Sequence, residues 1–361
     1  MSRSVLCAMS GGVDSSVAAA LLVEAGWRVI GATVKTFCYA DVPAGTRSCC
    51  GLEGIADARA VAARLGVPHQ VFDLEDDFTR DVIEDFVAEH AAGRTPIPCV
   101  RCNSFTKFRD LVRRADALDC EFLATGHYAR TVPADDGTVR LARAADDGKD
   151  QTYFLWGIER GVLPRLAFPL GEARKSEVRA RARELGLVTA DKPESFEICF
   201  VPDGDHVGFL RRRLPRAHPA VSAGPIVLED GTRVGEHAGT AGFTVGQRKG
   251  LPGGFPEPMF VVEVRPTARE VVIGPRASLA RSQLVAERGN WLAPRPGAGR
   301  EVEVRIRHRA PLVPAVVEAS GPDGFTLALS APREAVTPGQ SAVLYGEDGS
   351  VLGGGVITAA A

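Results

Sequence analysis

The sequence lacks the features that mark a membrane-spanning or secreted chain. None of its apolar runs approaches the roughly 18 residues that a spanning helix needs. The opening residues, MSRSVLCAMSGG, become polar and glycine-rich at once, unlike a secretory signal with an apolar core and a cleavage site. Repeats and low-complexity tracts are also missing. We therefore expect a cytoplasmic globular protein in which the eight cysteines are mostly thiols.

A strong excess of charge of either sign is also absent. The 361 residues carry a formal net charge of −2, but the two parts of the chain differ. Up to His206 the chain has 25 basic and 31 acidic residues, and from Val207 onward it has 18 and 14. The mildly basic second part suits a polyanionic partner, although an ordinary solvated surface explains it equally well. The length allows two or three domains with separate cores.

Strand-like and helix-like patterns alternate in the first part of the chain. Short apolar runs such as SVLCAM and RVIGATV alternate with helical periodicity in VAAALLVEAG and IADARAVAARLG. This alternation predicts βαβ units and a doubly wound parallel sheet, hence an α/β fold. After about His206 the helical patterns largely stop, and after Pro275 apolar residues alternate with period two, as in small antiparallel barrels. We predict an α/β domain at 1–205, a small β-rich domain at 206–275 and a C-terminal β-barrel at 276–361.

A glycine-rich loop, SGGVDSS, joins the first predicted strand to the first predicted helix. Its glycines allow close backbone approach, and the helix after it aims N–H groups and a positive dipole end at an anion. The loop lacks the Gly-Lys-Ser/Thr ending of a Walker A motif, so it suits pyrophosphate as a leaving group better than γ-phosphoryl transfer. Asp14 is a candidate magnesium ligand. The loop resembles that of the ATP-pyrophosphatases, and a plain turn with an Asp-Ser helix cap is the alternative.

Two cysteines stand three apart in GRTPIPCVRCNSFTKF, and another candidate, Cys199, lies in ESFEICF. A Cys-x-x-Cys is typical of zinc sites, redox pairs, cluster ligands and nucleophiles. Cys102 precedes Asn103 and Ser104, the predicted start of a helix, where the helix dipole lowers the pKa of a thiol. Cys199 by itself is more simply a small core residue on an apolar strand. A zinc site is disfavoured because no second Cys-x-x-Cys exists, and its ligands would be Cys49, Cys50, Cys99 and Cys102.

Seven segments together resemble the bacterial and organellar tRNA-specific 2-thiouridylases, in order along essentially the whole chain. They are AMSGGVDSSVAA, GRTPIPCVRCNSFTKF, ATGHYAR, DDGKDQTYFLW, ESFEICF, GEHAGTAGFTVGQRKGL and TPGQSAVLYG. The resemblance implies an adenine nucleotide alpha hydrolase-like fold with a pyrophosphatase (PP) loop, and ATP-dependent 2-thiolation of the wobble uridine in tRNA. ATP adenylates the C2 oxygen, and sulfur arrives as a persulfide on Cys199. The persulfide attacks C2 directly, or Cys102 releases sulfide from it and leaves a Cys102–Cys199 disulfide.

The resemblance also implies roles for individual residues, with Cys102 and Cys199 as the catalytic pair. The implied ATP-binding residues are Ala8, Met9, Ser10, Gly11, Gly12, Val13, Asp14, Ser15, Val34 and Gly126. The implied target-base contacts are Ile97, Pro98 and Cys99. The implied tRNA contacts are His127, Lys149, Asp150, Gln151, Arg307, His308 and Gln340. The cofactors would be ATP and Mg²⁺, and the partners of this predicted monomer would be tRNA and a sulfur-relay donor protein, with no membrane.

Three alternative functions stay open on the sequence. Cys99, Cys102 and Cys199 would suit an iron–sulfur cluster with one open iron, which changes the sulfur carrier but not the product. A small-molecule ATP-pyrophosphatase, such as an amidating or argininosuccinate-forming synthetase, explains the loop but not the cysteines. An RNA-binding protein with a vestigial nucleotide fold is disfavoured by the intact loop.

Two basic clusters lie in the second part of the chain. Arg305, Arg307 and Arg309 alternate, which predicts that they share one face of a strand and contact phosphate. The run Arg211–Arg216 is a second basic cluster. Either cluster is equally explained by an ordinary solvated surface.

Overall fold

The computed structural model describes residues 2–36, 52–193 and 198–361, which form two compact units. The first unit comprises Met1–Val82, Cys99–Gly204 and Asp348–Val351. The second unit comprises Ile83–Pro98, Asp205–Glu347 and Leu352–Ala361. Cys49 and Cys50, the other half of the alternative zinc site, fall outside the described residues, as does Cys38.

A parallel sheet organises the first unit. The strands of this unit are β1 Ser4–Ala8, β2 Arg28–Lys35, β3 His69–Asp73, β4 Phe122–Thr125, β5 Arg130–Pro133, β6 Val139–Ala142 and β7 Leu166–Ala167. Five of them pair in the order β3-β2-β1-β4-β7, and each pair is parallel. β5 and β6 form a separate antiparallel hairpin. The predicted doubly wound α/β fold is confirmed.

Helices are interspersed with the strands along the chain, and some of the helical stretches contain π-helical segments. The α-helices are α1 Val13–Glu24, α2 Leu52–Leu65, α3 Glu75–Phe78, α4 Glu84–Ala91, α5 Pro98–Arg101, α6 Leu111–Ala117, α7 Lys175–Glu184 and α8 His206–Arg213. The π-helical segments are Thr79–Ile83, between α3 and α4, and Cys102–Asp110, between α5 and α6. Within the described ranges no helix combines the length and the apolar character needed to cross a membrane.

The core of the first unit fixes both elements that flank the phosphate loop. Val5 and Cys7 of β1, with Val17 and Ala18 of α1, are at most 1% exposed and share one cluster with Val178 of α7. Burial raises the pKa of the Cys7 thiol to about 12, so this cysteine is a core residue and a poor nucleophile. The loop between β1 and α1 is therefore held at both ends by close packing.

Apart from α4 and α8, the second unit is built mainly from β-strands, as expected for the part of the chain after about His206. Its strands are β8 Gly224–Leu228, β9 Arg233–His237, β10 Met259–Arg265, β11 Glu270–Pro275, β12 Ala280–Trp291, β13 Glu301–Arg305, β14 Val313–Gly321, β15 Gly324–Glu334, β16 Ser341–Tyr345 and β17 Val351–Ala360. One sheet has the order β10-β11-β8-β9, and β12-β15-β14-β13-β16-β17 form a closed barrel. Inward-facing residues such as Leu284, Val304 and Leu327 fill the barrel.

The predicted row of arginines on one strand face is wrong. β13 ends at Arg305, whose side chain is buried with its guanidinium 5.5 Å from the ring centroid of Tyr345. Arg307 and Arg309 lie in the bend and turn after the strand, where Arg309 has a φ of 61°. A residue in this left-handed region cannot continue an extended strand, so the alternation stops. The other basic cluster is partly confirmed, because Arg211–Arg213 are exposed on the last turn of α8.

Acid should destabilise the second unit through His90 on α4. The residue is 6% exposed, and its ring centroid lies 4.5 Å from that of Phe86 and 5.7 Å from that of His206. Burial, with the nearby charge of His206, lowers the pKa of His90 to about 4, although Glu89 opposes the change. Because this folded-state pKa lies below the usual value, stability is complete above about pH 6.5 and falls as the pH drops toward 4, by at most about 3 kcal/mol.

Urea unfolding at about pH 7.5 and about pH 5 measures this effect. On lowering the pH from about 7.5 to about 5, protonation of His90 should reduce the free energy of unfolding of the wild-type protein by about 2 kcal/mol. The reduction in His90→Gln should be smaller by this amount. His206→Gln is the matched control and should keep most of the pH dependence, because burial is the larger cause. An unchanged pH dependence in His90→Gln would contradict this assignment.

Candidate active site

The phosphate loop lies where the strand order of the sheet reverses. β2 and β3 are on one side of β1, whereas β4 and β7 are on the other. Ligands of open α/β sheets bind at the carboxyl ends of the strands at such a switch point. Residues 9–12 follow β1 directly, and Gly126 follows β4 directly. The sheet therefore brings two separate parts of the predicted ATP site to one edge.

Hydrogen bonds within the loop hold its shape. The Ser10 N–H donates to Ser15 Oγ at 3.1 Å, and the Ser15 hydroxyl donates to the Gly12 carbonyl at 3.1 Å. The Ser16 hydroxyl donates to the same carbonyl at 2.8 Å. Gly12 is the N-cap of α1, and no side chain of the described residues caps the helix there, so the alternative of an Asp-Ser cap is wrong. An N-terminus of this kind fits an anion-binding role.

Two glycines allow neighbouring backbone to approach the loop closely. Gly11 has a φ of 71°, and a Cβ there would lie 2.1 Å from the carbonyl oxygen of Gly54 on α2. A Cβ on Gly126 would lie 2.6 Å from the backbone nitrogen of Ser15. Both positions require glycine because the colliding atoms belong to the backbone. Met9 and Val34, at 1% and 8% exposed, line the same strand ends with apolar side chains.

Asp14, in the first turn of α1, has two hydrogen-bonding partners from distant parts of the chain. Lys175 Nζ donates to both carboxylate oxygens of Asp14, at 2.6 Å each. The Tyr128 hydroxyl also donates to Asp14 Oδ1, at 2.9 Å. The loop and its glycines fit a bound nucleotide. The carboxylate of Asp14 does not fit the magnesium role as it stands, because an ammonium group occupies the position that a cation would take.

Cys102 does not lie at the start of its helix, contrary to the prediction. α5 begins at Pro98 and runs directly into the π-helical segment Cys102–Asp110. Proline suits the first helical position because its fixed φ is helical and its missing N–H is not needed there. Cys99 is therefore in the first turn and is exposed, whereas Cys102 is one turn further along and half-buried. The helix-dipole argument for Cys102 is weakened accordingly.

Asp81, from the other π-helical segment, fastens the helix that carries Cys102. Arg101 Nε donates to the Asp81 carbonyl at 2.9 Å, and Arg109 Nη2 donates to the Asp81 carboxylate at 2.6 Å. The Phe105 ring lies between these arginines, with centroid distances of 4.4 and 4.8 Å. Burial acts to raise the pKa of Asp81, but hydrogen bonds from Arg80 and Arg109 outweigh it and hold the pKa below its usual value. π-Helical turns occur frequently at functional sites.

Cys199 lies in a turn and is half-buried, so the interpretation as a core residue on a strand is wrong. Its neighbour Phe200 is 7% exposed and packs with its ring centroid 5.8 Å from that of Phe78. Phe78 ends α3, which contacts the π-helical segment Cys102–Asp110. The two cysteine-bearing segments are thus anchored on one helix of the same unit.

The three cysteines of the alternative cluster do not form a metal-binding group. Cys99, Cys102 and Cys199 all belong to the described part of the chain. Within that part, no three histidine, cysteine or acidic side chains come together in a way that would hold a metal ion. The arrangement therefore does not fit a three-thiolate cluster site.

Comparisons with known proteins agree along the whole chain. The tRNA methyl transferase HUP domain model matches residues 3–203, the tRNA methyl transferase PRC-barrel domain model matches 208–275, and the aminomethyltransferase beta-barrel domain model matches 281–357. A relative from Rhodospirillum rubrum, named tRNA-specific 2-thiouridylase MnmA, is 47% identical over 365 residues, which cover 98% of this chain and 96% of that protein. A relative of the same name from Rhizorhabdus wittichii is 48% identical over 358 residues, covering 98% and 91%.

This chain belongs to the tRNA-specific 2-thiouridylase family. The resemblance inferred from the seven sequence segments is thereby confirmed. The individual site residues stay predictions, because family membership does not test them one by one.

The predicted tRNA contacts in the first unit are largely engaged in internal hydrogen bonds. The buried carboxylate of Asp150 accepts hydrogen bonds from the Thr152 hydroxyl at 2.9 Å and backbone N–H at 3.3 Å. The Gln151 side chain accepts from the Tyr128 N–H at 2.9 Å. Burial, with the charge of Lys107 nearby, lowers the pKa of His127 well below its usual value, so the ring is neutral at pH 7. The side chain of Lys149, which precedes Asp150 in the chain, is half-buried.

The predicted contacts in the second unit include residues that hold the loop before α5. Gln340 Nε2 donates to the Thr95 carbonyl at 2.8 Å. Arg307, which is exposed, donates through Nη2 to the Ala335 carbonyl at 3.0 Å, and His308 is half-buried. Ile97 is half-buried. Gln340 therefore positions the segment that leads to the predicted base contacts, a role that its motif does not suggest.

Sequence reasoning missed Lys175, Tyr128 and Asp81. Lys175 lies 161 residues from Asp14 along the chain, so no local motif links the two. Tyr128 stands inside ATGHYAR, but the pattern does not indicate that its hydroxyl reaches the loop. Nothing in the sequence around Asp81 distinguishes it from the other acidic residues nearby.

Proposed function

We propose that this chain is an ATP-dependent tRNA-uridine 2-sulfurtransferase that thiolates the wobble uridine of tRNA. One observation carries the proposal: a single unit contains a phosphate loop at a sheet switch point and two cysteine-bearing segments anchored on one helix. Membership of the 2-thiouridylase family supports the same activity. Other enzymes that use such a loop on small molecules have no need of the paired cysteines.

The first step activates the uridine. Residues 8–15, with Val34 and Gly126, bind ATP, and the N–H groups at the start of α1 stabilise its phosphates. The C2 oxygen of the uridine attacks the α-phosphorus while the N3 proton is lost to solvent. The bond from phosphorus to the bridging oxygen breaks, and pyrophosphate leaves with the electron pair. The C2 oxygen is now part of AMP, which is a good leaving group. Mg²⁺ would assist this chemistry, and no residue is assigned to it.

The second step transfers sulfur from a persulfide on Cys199. The terminal sulfur attacks C2 and AMP departs, which leaves the base joined to Cys199 through a disulfide. The Cys102 thiolate then attacks Sγ of Cys199, and the base leaves as 2-thiouridine after taking a proton at N3. A Cys102–Cys199 disulfide remains, and an external thiol must reduce it. In the other order of events, Cys102 first releases sulfide, which attacks C2.

We further propose the tRNA-facing parts of the chain. The catalytic domain would be 1–205, the central β-rich domain 206–275 and the tRNA-contacting barrel 276–361. Ile97, Pro98 and Cys99 would meet the target base, and a sulfur-relay protein would supply the persulfide. The proposed tRNA contacts are His127, Lys149, Asp150, Gln151, Arg307, His308 and Gln340. Arg307, exposed in a turn of the barrel, would meet phosphate, which positions the tRNA without specifying it.

Pyrophosphate release from ATP, with and without bulk tRNA, tests the proposed function. We expect release to be at least about tenfold faster with tRNA, because the nucleophile of the first step is a base of that tRNA. Release that small metabolites stimulate and tRNA does not would favour a small-molecule synthetase. Binding of tRNA without any release would favour an RNA-binding protein with a vestigial nucleotide fold.

A further inference from the structure

We propose that Lys175 is the phosphate-binding lysine of this nucleotide site, although it lies outside the loop. This inference rests on the proposed function and names one more residue of the same site. In Walker A loops a lysine within the motif reaches the β- and γ-phosphates. The SGGVDSS loop has no lysine, but α7 begins with Lys175 and brings its ammonium group to Asp14 of that loop.

The ammonium group reaches the loop along a covered path. The Lys175 side chain is 11% exposed, whereas that of Asp14 is 32% exposed. Lys175 Nζ lies 5.7 Å from the ring centroid of Tyr128, whose hydroxyl donates to Asp14. The Lys175 stem is therefore enclosed, and its charged end lies at the more open carboxylate. A lysine that served only surface solvation would keep its charged end in water, whereas Lys175 directs that end to the Asp14 carboxylate.

α7 holds Lys175 at this position because it runs parallel to α1. Lys175 near the start of α7 pairs with Asp14 near the start of α1, and Arg181 further along α7 pairs with Glu24 at the end of α1, at 2.6 Å. Val178 belongs to the same buried cluster as the apolar face of α1. The backbone N–H of Lys175 also donates to Asp146 Oδ2 at 3.0 Å. The packing of α7 against α1, and not the sequence of the loop, thus places the Lys175 ammonium group beside Asp14.

Electrostatics explain why this cation would serve a phosphate. A carboxylate at the N-terminus of α1 repels a bound triphosphate, and the Lys175 charge offsets that repulsion at a distance of 2.6 Å. A phosphate held by the first turn of α1 would lie within about one helical pitch of the same ammonium group. Lysine has three N–H donors on a flexible stem, so it can bridge Asp14 and a phosphate or exchange one for the other.

Calorimetric titration of ATP without tRNA tests this role. We expect Lys175→Met to weaken ATP binding at least about tenfold and to leave adenosine binding unchanged, because adenosine carries no phosphate. Lys175→Arg keeps the charge and should stay within about threefold of wild type. Arg181→Met removes an ion pair of the same length, more exposed to solvent, at the far end of the same helices and should leave ATP binding unchanged. A cooperative thermal unfolding transition establishes that each variant is folded. If Lys175→Met is not folded, Lys175→Gln takes its place.

A double substitution separates phosphate binding from simple neutralisation of Asp14. If Lys175 only neutralises that carboxylate, Asp14→Asn combined with Lys175→Met should restore ATP binding, and this result would overturn the inference. If Lys175 binds phosphate, the double variant should remain at least about tenfold weaker than Asp14→Asn alone. Wild-type protein that binds no ATP would overturn both the proposed function and this inference. Wild-type binding that Lys175→Met does not weaken would overturn the inference alone.

Discussion

Cys199→Ser and Cys102→Ser should each lower tRNA thiolation by at least about a thousandfold, because an alcohol neither carries a persulfide sulfur nor breaks a disulfide at neutral pH. The two variants should fail at different steps. Cys199→Ser should not accept labelled sulfur from inorganic polysulfide. Cys102→Ser should accept it and, where the persulfide attacks C2 directly, retain tRNA through a bond that dithiothreitol cleaves; where Cys102 must first release sulfide, the variant should accept the label and trap no tRNA. Nucleoside mass spectrometry measures the product, and gel mobility detects the trapped tRNA.

Cys99→Ser is the matched comparison, since Cys99 is three residues from Cys102 and is exposed on the same helix. The persulfide route predicts reduced but measurable thiolation, because Cys99 is proposed only to contact the base. A cluster-dependent route predicts complete loss, together with iron and labile sulfide in protein purified without oxygen. Full thiolation by either Cys102→Ser or Cys199→Ser would refute the role assigned to that residue. ATP binding should be unchanged in all three variants.

Gly11→Ala should lower ATP binding and tRNA-dependent pyrophosphate release at least about a hundredfold. The new Cβ would lie 2.1 Å from the Gly54 carbonyl oxygen, so either the loop or the start of α2 must move. Gly126→Ala should act in the same direction, because its Cβ would lie 2.6 Å from Ser15 N. A displaced loop no longer aims its N–H groups at a phosphate, and such misplacement is costly in binding and catalysis.

Gly26→Ala is the control for backbone strain alone. Gly26 has a φ of 76°, close to the 71° of Gly11, but within the described part of the chain a Cβ at this position would meet no atom closer than 4 Å beyond its immediate chain neighbours. This variant should lose about 1 kcal/mol of the free energy of unfolding and keep wild-type ATP binding. Equal ATP binding by Gly11→Ala and Gly26→Ala would contradict the proposed loop site.

The spacing of the apolar residues and the SGGVDSS motif were sufficient to predict the fold class and the position of the phosphate loop. Strands β1 and β2 are short apolar runs, and α1 has apolar residues at helical spacing, so these residues must be buried. Strands that are buried on both faces between helices form a parallel sheet, as β1 and β2 do. The glycines of SGGVDSS required a tight turn, and Gly11 does have a positive φ. The prediction that Arg305, Arg307 and Arg309 share one strand face was wrong, because the alternation of arginines does not reveal that β13 ends at Arg305.

The sequence by itself determined the order of elements, the phosphate loop and the identity of the candidate cysteines, because each depends on residues close together in the chain. Only the tertiary structure decided which distant residues meet the loop. Lys175 reaches Asp14 because α7 packs parallel to α1, and Phe200 places the Cys199 turn against Phe78. Such pairings depend on how buried faces pack against one another, and packing between elements separated by more than a hundred residues leaves no local pattern in the sequence.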